Sequence, residues 1–159
     1  MKKYRRGRVV VSFVHSGLTE QSFDFAFESA GTRKLFNLGA DWWALANEET
    51  TLFADELSAS LHPRLLIHLI RGVNDQSSKS FQSQLIFATH DTGLLEGIDG
   101  QPPALRRDQI YFTKKDSESA SELYSLAEFK DDARPVHNIR KRYISGLYGA
   151  IPVIEGLAL

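Results

Sequence analysis

Thr51-Leu52-Phe53-Ala54-Asp55-Glu56 is a short apolar run that stops abruptly at two adjacent carboxylates. Four residues suit a strand rather than a helix. A buried strand that ends in two acids is costly unless the charges meet water, a cation or a substrate. In isolation the same pattern also describes a strand end capped by solvated acids. What lies on either side decides between the two.

Downstream, Leu57-Ser58-Ala59-Ser60-Leu61-His62 leads into Pro63, which sits well as the first residue of a helix. Leu65, Leu66, Leu69 and Ile70 give that helix an apolar face up to about Val73. After a serine-rich stretch over residues 74–83, a loop or a frayed helix end, Gln84 to Thr89 reads as a second buried strand and runs into His90-Asp91. Strand, helix and strand in that order form a βαβ unit. Both strands of such a unit deliver their ends to one edge of a sheet, which is where Asp55, Glu56 and His90 are expected.

Upstream, Leu35, Phe36, Leu38, Trp42, Trp43 and Leu45 recur at helical spacing through about Asn47. That helix opens at Glu28-Ser29-Ala30-Gly31-Thr32-Arg33, where a serine, a glycine and free N–H groups suit an anion. A simple serine N-cap has the same appearance. Before it, Arg8 to His15 reads as a strand, and Phe23, Phe25 and Phe27 alternate with polar or small residues as a second strand of a β-hairpin. Towards the C-terminus, Ile110 to Thr113 and Glu122 to Leu126 read as paired strands, and residues 138–147 as a basic helix. Alternating helices and short apolar strands argue for an α/β layered fold.

The chain has 159 residues, of which 42% are hydrophobic and 25% charged, with a net charge of −1. Its length fits one domain, residues 1–159. The charge balance points to neither a nucleic-acid nor a membrane partner. There is no cysteine, hence no disulfide or thiolate metal site. No apolar run approaches the roughly 20 residues of a membrane span, and the basic start, Met1 to Arg6, lacks the apolar core of a signal peptide. A cytoplasmic location is expected.

An apolar strand ending in Asp-Glu is the Walker B arrangement of nucleotide hydrolases: the first acid serves the Mg²⁺ shell and the next polarises the attacking water. The small residues before Pro63 suit a D-loop, and an imidazole at a strand end can hydrogen-bond a γ-phosphate. Taken in order, the chain resembles bacterial ABC-type ATPases of the abortive-infection and retron-associated kind. Those read Glu-Ser-x-Gly-Thr, then Asp-Glu-Leu-Asp-x-Ser-Leu-His-Pro, then Thr-His-Asp. Leu105 to Phe112, Glu122 to Leu126 and Arg142 to Pro152 are similar to their later segments, so the likeness covers nearly the whole chain. It implies an α/β, partial P-loop NTPase fold with an N-terminal hairpin and a mostly parallel core sheet. It also implies that Asp55 serves the metal, Glu56 is the catalytic base and His90 the switch histidine. Ser29 and Gly31 would contact the γ-phosphate held by the opposite subunit, and Ser60 would lie in the D-loop. Ser58 departs from the family, which usually has an acid there.

No Gly-x-x-x-x-Gly-Lys-Ser/Thr occurs in the chain. Without it the main phosphate cradle and the usual Ser/Thr ligand of Mg²⁺ are missing. The resemblance therefore implies the C-terminal half of an ATPase domain in phage defence. It would use ATP and Mg²⁺ only with a P-loop half or a full-length copy, as a homo-oligomer or a hetero-assembly, and be inactive alone. The sheet would lack its Walker A strand, leaving a slot between Gln84 to Thr89 and Gln109 to Thr113. Two other readings stand beside it. One is a non-enzymatic interaction module that cannot bind ATP alone. The other is nucleic-acid binding through Arg134, Arg140, Lys141 and Arg142, with Tyr143 and Tyr148 as stacking faces.

Overall fold

The computed structural model describes residues 10–15, 21–75, 83–129 and 139–151. The Arg8 start of the first strand, residues 76–82 of the serine-rich loop, Arg134 and the tail from Pro152 lie outside them. The chain forms two compact units, one of Met1–His62 with Ser77–Ala88, the other of Pro63–Gln76 with Thr89–Leu159.

The first unit opens with the expected hairpin. Strands β1 (Ser12–His15) and β2 (Gln21–Asp24) pair antiparallel with Phe13 opposite Phe23. The alternation through Phe27 is not one strand, however. The Asp24 carboxylate accepts the Ala26 N–H at 2.8 Å, and the chain turns into a single 3₁₀ turn over Phe25–Phe27. A short side chain that captures a backbone donor two residues on competes with the sheet ladder, and here it wins.

Helix α1 (Ala30–Asn47) begins where its composition indicated, with Ser29 as N-cap. Phe13, Phe25 and Phe36 form a ring cluster with centroids 5.1–5.9 Å apart, which binds the hairpin and the 3₁₀ turn to α1. Strands β3 (Thr51–Ala54) and β4 (Gln84–Phe87) pair parallel, with Phe53 opposite Ile86 and Ala54 opposite Phe87. Parallel pairs are normally covered on both faces. Here only one face is partly covered, for Phe53 is 72% exposed and Ile86 43%. The expected buried strands are thus half-buried within this chain. Among the described residues, Leu45, Leu57 and Leu61 are the buried apolar residues of this unit.

In the second unit, helix α2 (Pro63–Asn74) starts at Pro63 as expected and buries Leu66, Ile67 and Ile70. Strands β5 (Tyr111–Lys115) and β6 (Ser121–Ser125) pair antiparallel, turned by the Asp116 carboxylate, which accepts the Glu118 and Ala120 amides. Leu95, Ile110, Phe112, Leu126 and Tyr148 form a core, with Tyr143 stacked on Phe112 at 5.3 Å. The basic helix is shorter than its pattern suggested. It is α3 (Ile139–Ile144), and a turn containing Gly146 at φ 80° follows it.

Among the described residues the expected mostly parallel core sheet is present only as the β3–β4 pair. Among the described residues the other two sheets are local antiparallel pairs. Five residues separate β1 from β2 and five separate β5 from β6, whereas a parallel pair needs a longer crossover, and α2 lies between β3 and β4 in the chain. Among the described residues, no helix is long and apolar enough to cross a membrane.

Candidate functional site

The first unit assembles most of the residues that the sequence singles out. Asp55 leaves the end of β3 exposed to solvent, and Glu56 beside it is half-buried. Glu56 adopts φ 48° and Ser60 φ 65°, two of the four non-glycine residues with positive φ in the described structure. Left-handed backbone costs a side-chain-bearing residue roughly 1–2 kcal/mol. Such strain persists only where surrounding contacts hold it, and it concentrates at functional loops.

Several contacts hold this loop. The Leu57 N–H donates to the Ala88 carbonyl at 3.2 Å, so the chain after β3 is tied to the chain after β4. The fully buried Leu57 side chain anchors the same point. From α1, the Lys34 ammonium donates to the Glu56 carbonyl at 3.2 Å. Gly31 packs against the loop so closely that a Cβ at this position would lie 2.7 Å from the Ser60 carbonyl oxygen. Gly31 is therefore required for close approach of two backbones, not for turn conformation.

At the start of α1, Ser29 Oγ accepts the Thr32 N–H at 3.1 Å and lies 2.8 Å from Thr32 Oγ1. The serine is thus a true N-cap, the bland alternative for this motif. The cap does not occupy every donor, since the first amides of a helix, here those of Ala30 and Gly31, have no intrahelical partner. The helix start, with the positive end of its dipole, lies through Gly31 against the same loop that carries Asp55 and Glu56.

His90 belongs to the second unit, three residues past β4. The turn around it is ordered by its neighbours: the Asp91 N–H donates to Thr89 Oγ1 at 3.0 Å, and Asp91 Oδ1 accepts the Gly93 N–H at 2.8 Å. In the same unit Arg140 donates to Thr92 Oγ1 and Glu96 Oε1, at 3.1 and 2.8 Å. One cation of the basic helix is thereby engaged with its own unit.

Sequence reasoning missed Lys34 and the contact of His15 with Glu28. Lys34 lies about one turn past Gly31 on the same helix, a spacing that could have flagged it. The His15–Glu28 contact joins residues 13 positions apart and left no local signal.

Among the described residues no cluster of three His, Cys, Asp or Glu side chains could hold a metal by itself. Mg²⁺, however, is usually held by one or two carboxylates together with substrate phosphates, and Asp55 fits that share of a site. The phosphate cradle is a different matter, since the chain contains no glycine-rich loop with its lysine. The residues fit part of a Mg²⁺–nucleotide site.

The parallel pair, its acidic loop and the capped helix are features of a nucleotide-handling α/β protein. The chain belongs to the family described as "AAA domain, putative AbiEii toxin, Type IV TA system", which matches residues 6–96. No curated protein and no solved structure matches it. Domains of the AAA class bind nucleotide in ATPase-type reactions and generally use ATP and Mg²⁺.

Proposed function

We propose that the chain supplies the signature, Walker B, D-loop and switch-histidine segments of an ABC-type ATPase. A P-loop-bearing half completes it, and two copies close on each other across nucleotide. The observation that carries this is the keyed contact of α1 with the acid loop, at Lys34–Glu56 and Gly31–Ser60. A serine cap on a helix that merely starts there has no need of either.

In this reading Asp55 offers one carboxylate to the metal, and Glu56 accepts the proton of the attacking water. Mg²⁺, when bound, neutralises charge developing on the phosphoryl oxygens. His90 hydrogen-bonds the terminal phosphate. Ser29 and the open amides beside Gly31 receive the terminal phosphate of the nucleotide that the opposite copy holds, and Ser60 contributes to that interface. The chain leaves room for the partner half. Among the described residues β4 pairs with β3 alone, and the Phe53–Ile86 face is open. Open strand edges and apolar faces invite further strands and helices. The biological role is a toxin-like or phage-defence response, a reading that rests on the family and on the motif order.

The test is reconstitution. The chain is combined with a P-loop-bearing half, from the same polypeptide or the neighbouring reading frame, and ATP turnover is measured. Turnover that Glu56→Gln abolishes supports the enzyme. Binding of the two halves without any turnover would instead support a non-enzymatic interaction module.

A further inference from the structure

One face of the β5–β6 pair runs from the core of the second unit into a small charged cleft. Register sets Phe112 opposite Tyr124 and Lys114 opposite Glu122, and the period of two puts all four on that face. Phe112 is buried, whereas the Lys114 and Glu122 side chains are 43% and 60% exposed. Past β6 a 3₁₀ turn over Leu126–Glu128 is closed by Glu128 Oε1, which accepts the Ser125 N–H at 2.9 Å. The turn delivers Phe129 to within 5.8 Å of the Tyr124 ring. The Tyr124 hydroxyl donates to the Tyr148 carbonyl, and Phe129 meets the Tyr148 ring edge-on at 5.1 Å. Lys114, Glu122, Tyr124, Glu128, Phe129 and Tyr148 line an open cleft of about 220 Å³.

The chemistry of this lining selects a cation. Aromatic faces attract positive charge, and two carboxylates stand against one ammonium. Lys114 shows where such a charge rests. Its Nζ lies 5.3 Å from the centre of the Tyr124 ring and 2.9 Å from Glu122 Oε2. The hydrogen bond to Glu122, and then the charge of that carboxylate, raise the Lys114 pKa above its ordinary value. An ion pair this exposed is nevertheless weakly held. The volume falls below the roughly 300 Å³ at which small-molecule pockets begin, so the cleft fits one side chain rather than a cofactor.

We propose that this cleft docks an arginine side chain of a protein partner, which displaces Lys114 from Tyr124 and Glu122. A guanidinium is planar and more weakly hydrated than an ammonium. It stacks on a ring and meets a carboxylate through two parallel N–H donors, where lysine offers a point charge. The displaced Lys114 returns to water that it already touches. Each contact is weak when exposed, so a free cation is hardly retained and the side chain arrives on a larger surface. The site lies within the second unit and stands whether or not the chain completes an ATPase.

The probe is a capped glycine-arginine-glycine peptide, titrated into the full chain and followed by amide chemical shifts. Peptides with lysine or glutamate at the centre are the controls. The arginine peptide is expected to bind in the millimolar range, about threefold or more tighter than the lysine one, with shifts confined to residues 114, 122–129 and 148. The glutamate peptide shifts none of them. Lys114→Met vacates both Tyr124 and Glu122 and tightens arginine binding by about threefold or more. Glu122→Gln weakens it by about fivefold, and Tyr124→Leu by about threefold. Circular dichroism reports whether the variants fold. If Tyr124→Leu does not, Lys114→Met and Glu122→Gln decide alone, since both side chains are exposed.

The sign of the Lys114→Met effect is the deciding result. Weaker or unchanged binding in that variant overturns the proposal, because Lys114 would then be a recognition group or a bystander and not the resident that arginine replaces. Preference for the glutamate peptide overturns it in favour of an acidic partner. Equal binding of the lysine peptide, or no confined shift up to about 50 mM peptide, overturns it as well.

Discussion

Replacing Gly31 with alanine should destabilise the chain, whereas the same change at Gly39 in the same helix should stabilise it. A Cβ at position 31 would lie 2.7 Å from the Ser60 carbonyl oxygen, and ordinary contact begins near 3.4 Å, so about 0.7 Å must be found (3.4 − 2.7). The obstacle is backbone, and Ser60 already holds φ 65°, so the loop has little freedom to yield. Overpacking of this kind costs about 1–3 kcal/mol. Against it stands the helix preference of alanine over glycine, up to about 1 kcal/mol in a helix interior and less at the second residue of α1. The net expectation for Gly31→Ala is a loss of about 1–2 kcal/mol. At Gly39 a Cβ meets nothing within 4 Å, so only the preference remains, a gain of about 0.5–1 kcal/mol. The two variants should differ by about 2 kcal/mol, or roughly 4–8 °C in Tm for a chain of this size. Thermal and urea denaturation of the full chain, followed by circular dichroism, measures both. If Gly31→Ala stabilises as much as Gly39→Ala, then α1 does not press on the acid loop, and the keyed contact is wrong.

Three further expectations concern the loop and the second core. Leu57→Ala, at a fully buried position beside Glu56, should cost about 2–5 kcal/mol in urea denaturation; a loss below about 1 kcal/mol would contradict its anchoring role. Lys34→Met keeps the aliphatic stem but removes the donor to the Glu56 carbonyl, so amide hydrogen exchange in residues 56–60 should quicken several-fold, and Lys34→Arg should restore protection. Burial raises the Tyr124 pKa above its ordinary value, while Lys114 beside it acts in the opposite direction. A group raised on folding contributes stability that is present below its unfolded pKa near 10 and lost as pH climbs through the folded one. Phenolate absorbance should therefore show one tyrosine titrating late, stability should fall above about pH 10, and Tyr124→Phe should remove both effects.

The elements that carry the candidate residues were legible because their signals are local. Serine before a helix, proline at a helix start, and an apolar run stopped by two acids each report on a few neighbouring residues. Ser29, Pro63 and Thr51–Ala54 accordingly sit in the expected elements. Phe23, Phe25 and Phe27 misled because period-two alternation takes no account of Asp24, whose side chain redirects the backbone. The exposure of Phe53 and Ile86 was hidden for another reason. Apolar composition says that a strand seeks cover, not which chain provides it. The left-handed φ of Glu56 and Ser60 had no sequence signal either, since neither is glycine or asparagine.

The pairing of β3 with β4 also bears on how a nascent chain acquires this structure. β3 ends at Ala54 and β4 begins at Gln84, with the whole of α2 between them. The acid loop therefore cannot receive its tie from Leu57 to Ala88 until the ribosome has delivered residues well past α2. Until then β3 offers both edges to any other strand, and loop closure must be overcome before the pairing returns anything. The β1–β2 and β5–β6 pairs join strands only five residues apart in sequence and form early. The acid-loop end of the first unit should be the last part of it to mature, and the part that most needs protection during synthesis.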